Sequence, residues 1–384
     1  MNFLTFIIKN LLRRKARSVL TACGIALAVA TLITLLGVAD DFQNAILQSF
    51  QNEGSDIVIS PKGELLQVAG DLPESHGPAI AAVPGVTAVS QGLIEQLAME
   101  IDGDQVPVLL QGWRHGSFSF DDLDVVEGRM IEPDEDHVTL LGALLAEKMH
   151  AGVGDTVEFQ EEPFKVVGIF ESPTRLKRGS AVMLLHQLQD LMVREGSVTG
   201  FSVQVAADIK SEPGGVDRVA DAIDILADED GASLGLEATP TEAFVRNSFQ
   251  LKATRAMAWF TSIIAVGVGS FGMLNTMIMS VMERIREISV LRAMGWRRQR
   301  VVLMIVGESV LLSVTGAAIG TGVAFAVSRA MAQMPQVNGF LSGHIAPWVV
   351  LCGLAIALLV GLCGAAYPAW RASRLLPSEG LRYE

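Results

Sequence analysis

Residues 256–282 read AMAWFTSIIAVGVGSFGMLNTMIMSVM, residues 301–327 read VVLMIVGESVLLSVTGAAIGTGVAFAV, and between them stands the charged segment ERIREISVLRAMGWRRQR, 283–300. A bilayer core of about 30 Å takes roughly 20 helical residues at about 1.5 Å each. Both apolar runs are long enough to cross it, and the segment joining them is too charged to follow. Two more runs of the same kind lie outside this pair, Val19–Val38 and Trp348–Ala369. Glu308 is the one acidic residue inside any of the four. The first run is longer than a secretory h-region and lacks a small-x-small cleavage site, so it reads as an uncleaved span. The sequence therefore predicts an α-helical membrane protein with four transmembrane helices and, between the first two, a large folded insertion.

Charge predicts the orientation, because Lys and Arg resist translocation and collect on the cytoplasmic side. Lys9, Arg13, Arg14, Lys15 and Arg17 precede the first run; Arg284, Arg286, Arg292, Arg297, Arg298 and Arg300 lie in the 283–300 segment; Arg371, Arg374 and Arg382 follow the fourth run. The connection 331–347 has neither Lys nor Arg. Both termini and the 283–300 segment are expected in the cytoplasm, and 331–347 and the insertion outside. Within 40–252 there are 37 acidic against 13 basic residues, a formal charge of −24 that the whole-chain value of −13 conceals. So acidic an external domain argues against nucleic acid as a partner, since phosphate binding needs clustered cations. Cys23, Cys352 and Cys363 all lie in spans, so the insertion has no disulfide or zinc framework.

The expected organisation is an interfacial amphipathic helix over 1–18, with Asn2, Thr5, Lys9 and Arg13 on its polar side, then a span over 19–38. An extracytoplasmic mixed α/β domain follows over 39–252, then spans over 256–282, 301–327 and 348–369 around the 283–300 and 331–347 loops, and a cytoplasmic tail over 370–384. In the α/β domain, alternation predicts strands at Asp56–Ser60, Val106–Leu110 and Phe201–Val205. Helices are predicted at Leu141–Met149 and Val216–Leu226. Thr156–Phe159 and Phe164–Phe170 read as a hairpin. The length of the insertion suggests two lobes, the second at roughly 111–200.

The chain lacks the usual catalytic signatures. It has no G-x-x-x-x-G-K-[ST] to cradle a nucleotide phosphate, no H-E-x-x-H and no G-x-S-x-G. His137 beside Asp134, Glu135 and Asp136 reads as a solvated loop rather than a cation site. Gly267–Gly272 satisfies G-x-G-x-x-G but sits inside an apolar span with no strand before it, so it reads as helix packing. Gly316 and Gly320, spaced G-x-x-x-G, read the same way. Glu308 is close enough to the basic edge of its span for an Arg to reach it, which favours a structural ion pair over a proton relay.

The 283–300 segment carries the functional reading. Val281, Ile285, Ile288 and Leu291 fall on one side at helical spacing, and Gly295 stands where a helix would stop. A short helix with an apolar stripe between two spans is suited to dock. The segment resembles the E-R-x-x-E-I-x-x-x-R-A-x-G coupling helix of the MacB, LolC/LolE and FtsX type permeases, with Glu283, Arg284, Glu287, Ile288, Arg292, Ala293 and Gly295 in place. Glu308 with Gly316 and Gly320 resembles that family's third span, and Tyr367-Pro368-Ala369-Trp370-Arg371-Ala372-Ser373-Arg374, with Pro377, Glu379, Leu381 and Arg382, resembles its C-terminus. In the insertion, Gly128-Arg129, Leu141-Gly142, Val153-Gly154-Asp155 and Phe164–Phe170 are similar to its periplasmic core domain.

The resemblance implies a non-catalytic permease subunit in a bacterial inner membrane, paired with a second permease subunit as a homodimer or a heterodimer. ATP and Mg would be bound by an ABC ATPase partner. MacB carries a fused ATPase domain and this chain starts almost at its first span, so the ATPase is expected on a separate subunit. Membrane lipids surround the spans, and a periplasmic adaptor or carrier protein is a further expected partner. ATP-driven motion would pass through the coupling helix to the outer domain and export or extract a substrate there. On this reading Ile285, Ile288, Leu291 and Met294 supply apolar docking contacts, and Arg284, Glu287 and Arg292 set register. The competing readings are an FtsX-like scaffold that activates a cell-wall enzyme without transport, and an intramembrane enzyme.

Overall fold

The structure, a computed structural model, describes residues 15–62, 70–227, 231–334 and 341–374. Most of the interfacial helix expected over 1–18 and the tail beyond Arg374 lie outside the described residues. The chain divides into two compact units, one of Met1–Asp40, Arg255–Ala330 and Gly343–Glu384, the other of Asp41–Thr254 and Met331–Ser342.

In chain order the elements are α1 (Lys15–Asn52), β1 (Ile57–Pro61), β2 (Leu72–Pro73), α2 (Gly77–Ala81), β3 (Val86–Ile101), β4 (Asp104–Trp113), β5 (Asp124–Gly128) and β6 (Val138–Gly142). Then come α3 (Ala143–Met149), β7 (Thr156–Phe159), β8 (Glu162–Glu171), α4 (Arg175–Arg178), β9 (Ser180–Leu184), α5 (Leu185–Leu191), β10 (Ser197–Val198) and β11 (Gly200–Val205). The chain continues through α6 (Ala207–Lys210), α7 (Gly215–Asp224), β12 (Leu236–Pro240), α8 (Thr241–Asn247), α9 (Phe249–Met282), α10 (Ile285–Ala293), α11 (Arg298–Met331) and α12 (Pro347–Arg374).

Four helices, α1, α9, α11 and α12, are long and apolar enough to cross a membrane. α1 overruns its apolar stretch because no Gly or Pro interrupts Val38–Glu53; Gly54, at φ +75°, follows the helix end. In the helical unit, α1 is the most enclosed of the four. Its Ile25, Val29, Leu32, Ile33 and Leu36, at i, i+4, i+7, i+8 and i+11, form the core with Met273 and Met277 of α9, Leu312 and Ala317 of α11, and Val349 and Ala357 of α12. Gly316 and Gly320 face α1: a Cβ on Gly316 would lie 2.9 Å from Ile25 Cβ, and one on Gly320 would lie 2.5 Å from the Ala26 carbonyl oxygen. The G-x-x-x-G spacing thus lets two backbones touch, as expected. In the G-x-G-x-x-G stretch of α9 only Gly269 meets a neighbour, the Ala28 side chain; Gly267 and Gly272 border open space.

The other unit is a mixed sheet of ten strands, in the order β12-β1-β11-β3-β4-β9-β6-β8-β5 with β7 paired to β8. The β3–β4 hairpin is its spine, paired from Gly92↔Trp113 to Ile101↔Asp104. Asp102 (φ 54°) and Gly103 (φ 84°) close it in the left-handed conformations of a type I′ turn. The hairpin expected over 156–170 is present as β7–β8, with Gln160 and Glu161, both at positive φ, making the turn; Glu162 and Pro163 already pair with Phe159 and Glu158. A separable second lobe over 111–200 is not what forms. Residue 111 falls inside β4, β4 pairs in parallel with β9, and β5 to β9 extend the same sheet, so the main core draws residues from both sides of the expected boundary. Leu141 and Gly142, expected at the start of a helix, end β6, and helix α3 begins at Ala143.

Candidate functional site

α10 and its two junctions form the candidate site, all within the helical unit. Ile285, Ile288 and Ser289 are buried, while Arg286, Glu287, Val290, Ala293 and Met294 are exposed, Met294 by 73%. Ile288 joins Val281, Val301, Met304, Ile305, Ala365, Ala369 and Ala372 in a cluster built from α9, α11 and α12. The apolar stripe is therefore real but turned inward. Ile285 and Ile288, expected as docking contacts, are both buried within their own unit, and Ile288 packs against α11 and α12, which removes its apolar surface from water. The outward face is Glu283, Arg286, Glu287, Val290, Ala293, Met294 and Arg297, at helical spacing. Arg286, Val290 and Arg297 were not expected as docking residues; their signal was that they complement the stripe.

Arg284 caps the start of α10 and turns inward. Its Nη1 donates to both oxygens of Glu308, at 2.8 and 3.0 Å, and its Nε donates to Glu287 at 3.3 Å. Arg284 is 8% exposed and Glu308 4%, so the pair is sealed from solvent. The Arg expected to reach Glu308 is thus supplied by the coupling segment, and Arg284 fixes α10 to α11. Breaking such a pair by removing one partner costs about 3–5 kcal/mol, because the remaining charge has nowhere to go. Glu283 pairs with Arg17 of α1 at 3.1 Å, a second and more exposed tie.

The C-terminal end is equally defined. Gly295 takes φ +94°, its N–H bonds the Arg292 carbonyl at 3.1 Å, and the Trp296 N–H bonds the Leu291 carbonyl at 3.1 Å. These two bonds make a Schellman cap, which a residue with a Cβ would strain at that φ. Arg292 Nη1 donates to the Trp296 carbonyl at 3.2 Å and stays half-buried, as does Leu291. The site therefore presents a short, capped helix held at both ends, with a charged and apolar outer face.

In the α/β unit the 129–137 loop is organised by an ion pair. Arg129 Nη2 donates to Glu135 Oε1 at 2.5 Å, and this bond, with the Glu132 N–H, pulls the Glu135 carboxyl down to about 2. The His137 ring lies against Phe164, 5.4 Å between centroids. Among the described residues, no group of three His, Cys, Asp or Glu side chains could hold a metal ion.

This unit also buries a cluster that the sequence did not reveal. Lys177, 0% exposed, donates to Asp122 at 2.6 Å and to Glu53 at 2.9 Å, and its ammonium lies 5.0 Å from the centroid of the Trp113 ring. Burial pushes the Glu53 carboxyl up, against the pull of the lysine.

Residues 18–224 match the family model of the MacB-like periplasmic core domain, and residues 259–377 match that of the FtsX-like permease C-terminal region. The chain is 25% identical to an uncharacterized ABC transporter permease of Methanocaldococcus jannaschii, covering 100% of this chain and 98% of that one. It is 27% identical to the lipoprotein-releasing system transmembrane protein LolC of Xylella fastidiosa, covering 96% and 94%. It is 23% identical to the macrolide export ATP-binding/permease protein MacB of Bdellovibrio bacteriovorus, covering 98% of this chain and 61% of that longer protein. With both family models in their expected order along four apolar helices and an α/β domain, the chain belongs to the ABC transporter permeases that join a MacB-like periplasmic core domain to an FtsX-like permease region.

Proposed function

We propose that this chain couples ATP hydrolysis in a separate ABC ATPase subunit to work on a substrate outside the membrane, by mechanotransmission. The chain acts with a second permease copy or a related permease. Its termini and α10 face the cytoplasm, in keeping with the placement of Lys and Arg along the sequence. One observation carries the reading: α10 is pinned by the buried Arg284–Glu308 pair and the Gly295 cap, yet leaves Arg286, Val290 and Met294 uncovered. A helix so held moves as one body with α11, so a push on its outer face is passed on rather than absorbed. The names of two relatives, one exporting macrolides and one releasing lipoproteins, support a cargo with apolar surface.

The test is purification of the tagged chain from its native membranes in mild detergent. A P-loop ATPase should be recovered in stoichiometric amount and be lost when Val290 and Met294 are both changed to Glu. Recovery of the permease without any ATPase, under conditions that keep other membrane complexes intact, would contradict the proposal.

A further inference from the structure

The α/β unit contains a partly open cavity of about 460 Å³ whose two walls differ in chemistry. One wall is apolar: Phe42, Ile46 and Phe50, at i, i+4 and i+8 of α1, with Phe244 and Val245 of α8. Phe50 and Phe244 meet edge to face, 5.9 Å between centroids. The other wall is a face of the sheet that sets short polar side chains among apolar ones, Val58, Ile94, Leu109 and Trp113. Val58, Ser202 and Ser90 lie in one row across β1, β11 and β3, and Gly200, Gly92 and Trp113 lie in the next. Alternate residues Ile57, Ile59, Val203, Val108 and Leu110 point the other way into the main core. The paired glycines hollow out the middle of this floor, and a Cβ on Gly92 would press the Trp113 ring at 3.1 Å.

A sheet face covered by helices usually fills with branched apolar side chains. This one also carries Ser60, Ser90, Ser202, Gln96 and Gln111, of which Ser90 is bonded to Ser117 and Ser119, and Gln111 to Ser180. Ser60 is 2% exposed and its Oγ has no hydrogen-bond partner. A buried hydroxyl in that state is destabilising, and a ligand hydroxyl or ether oxygen at the site would satisfy it. The volume lies in the range of small-molecule sites, which combine apolar walls with a few polar anchors.

Charge selects the head group. Among the lining residues Glu53 alone is ionisable, and Lys177 behind it already holds it. No cation is left to receive a carboxylate or a phosphate, and the domain as a whole is strongly acidic. We infer that this cavity binds a neutral amphiphile, an aliphatic or alicyclic body lying against the phenylalanines with a hydroxyl-bearing end on the serine floor. The inference adds a cargo class to the functional reading above and is measured on the permease without its ATPase, so failure here would leave the coupling proposal standing.

The experiment uses the full chain in lipid nanodiscs, with Trp259, Trp296, Trp348 and Trp370 replaced by Phe so that Trp113 alone reports. The probes are 12-bromododecan-1-ol, 12-bromododecanoate and 12-bromododecyltrimethylammonium, whose bromine quenches an indole on contact. The alcohol should quench Trp113 saturably at a concentration at least tenfold below either charged probe. Ser202→Phe, which fills the cavity from a half-buried position, should abolish saturation while leaving the melting temperature near that of the parent. Ser60→Ala should weaken the alcohol about fivefold to tenfold, the worth of one hydrogen bond, while keeping or raising the melting temperature because an unsatisfied hydroxyl is gone. Non-saturable quenching by the alcohol, equal or tighter binding of a charged probe, or undiminished binding by a folded Ser202→Phe chain would overturn the inference.

Discussion

Each unit of the molecule buries one ionic cluster, and the two are built differently. In the helical unit one guanidinium meets one buried carboxylate, Arg284 on Glu308, with two hydrogen bonds from a single nitrogen, and also reaches the exposed Glu287. In the α/β unit one ammonium meets two carboxylates, Lys177 between Glu53 and Asp122. The buried part of the first is balanced and joins a short helix to a long one. The second has one acid too many, and the surplus is relieved by the upward push on Glu53, which favours its protonated form. In the coupling proposal the first serves as a joint, and the raised Glu53 carboxyl predicts that the second contributes to stability in a pH-dependent way.

The largest effect is expected from Arg284→Met. It strands Glu308 and should cost about 3–5 kcal/mol, seen as a lower melting temperature and loss of folded protein in detergent, with much of the loss restored by Glu308→Gln in the same chain. Lys177→Met should be comparably damaging at pH 8 but recover as pH falls, since Glu53, already pushed up by burial, can protonate once the lysine is gone. Glu53→Gln should be milder than either, within about 1 kcal/mol at neutral pH. Its sign follows from linkage: a carboxyl raised above its unfolded value stabilises most below that value, and this contribution is lost as pH rises through the folded one. Removing the group should therefore flatten the fall in melting temperature between pH 5 and pH 8. If Glu53→Gln steepens it, the lysine dominates and the comparison fails. On the outer face of α10, Val290→Ser with Met294→Ser should leave stability within about 0.5 kcal/mol of the parent.

The contrast between the clusters also marks what could be read from the chain. Glu308 stood out because a carboxylate in an apolar run is rare, and an Arg from the basic edge of its span was expected to reach it; that this is Arg284 rather than the nearer Arg297, Arg298 or Arg300 was legible only in the fold. Lys177, Glu53 and Asp122 are scattered through a region rich in charge, and only the sheet brings them together. The β7–β8 hairpin was legible from two β-rich runs around polar residues. The β3–β4 hairpin was announced by Asp102-Gly103, a type I′ turn pair whose signal was overlooked, and with it the continuity of the sheet across residue 111. For α10, periodicity identified the apolar stripe but could not give its direction. A stripe that packs against a neighbouring subunit and one that packs against its own spans have the same spacing, and burial decides between them.

The account rests on the outer face of α10 being where the ATPase docks, and photo-crosslinking tests it directly. Benzoylphenylalanine is placed in turn at Met294, at Val290 and at the buried Ile288, and the native membranes are irradiated. Adducts with a P-loop ATPase from positions 290 and 294, and none from any folded chain labelled at 288, are the predicted result. An ATPase adduct from 288 alone, or ATPase-free adducts from both outer positions, would contradict it.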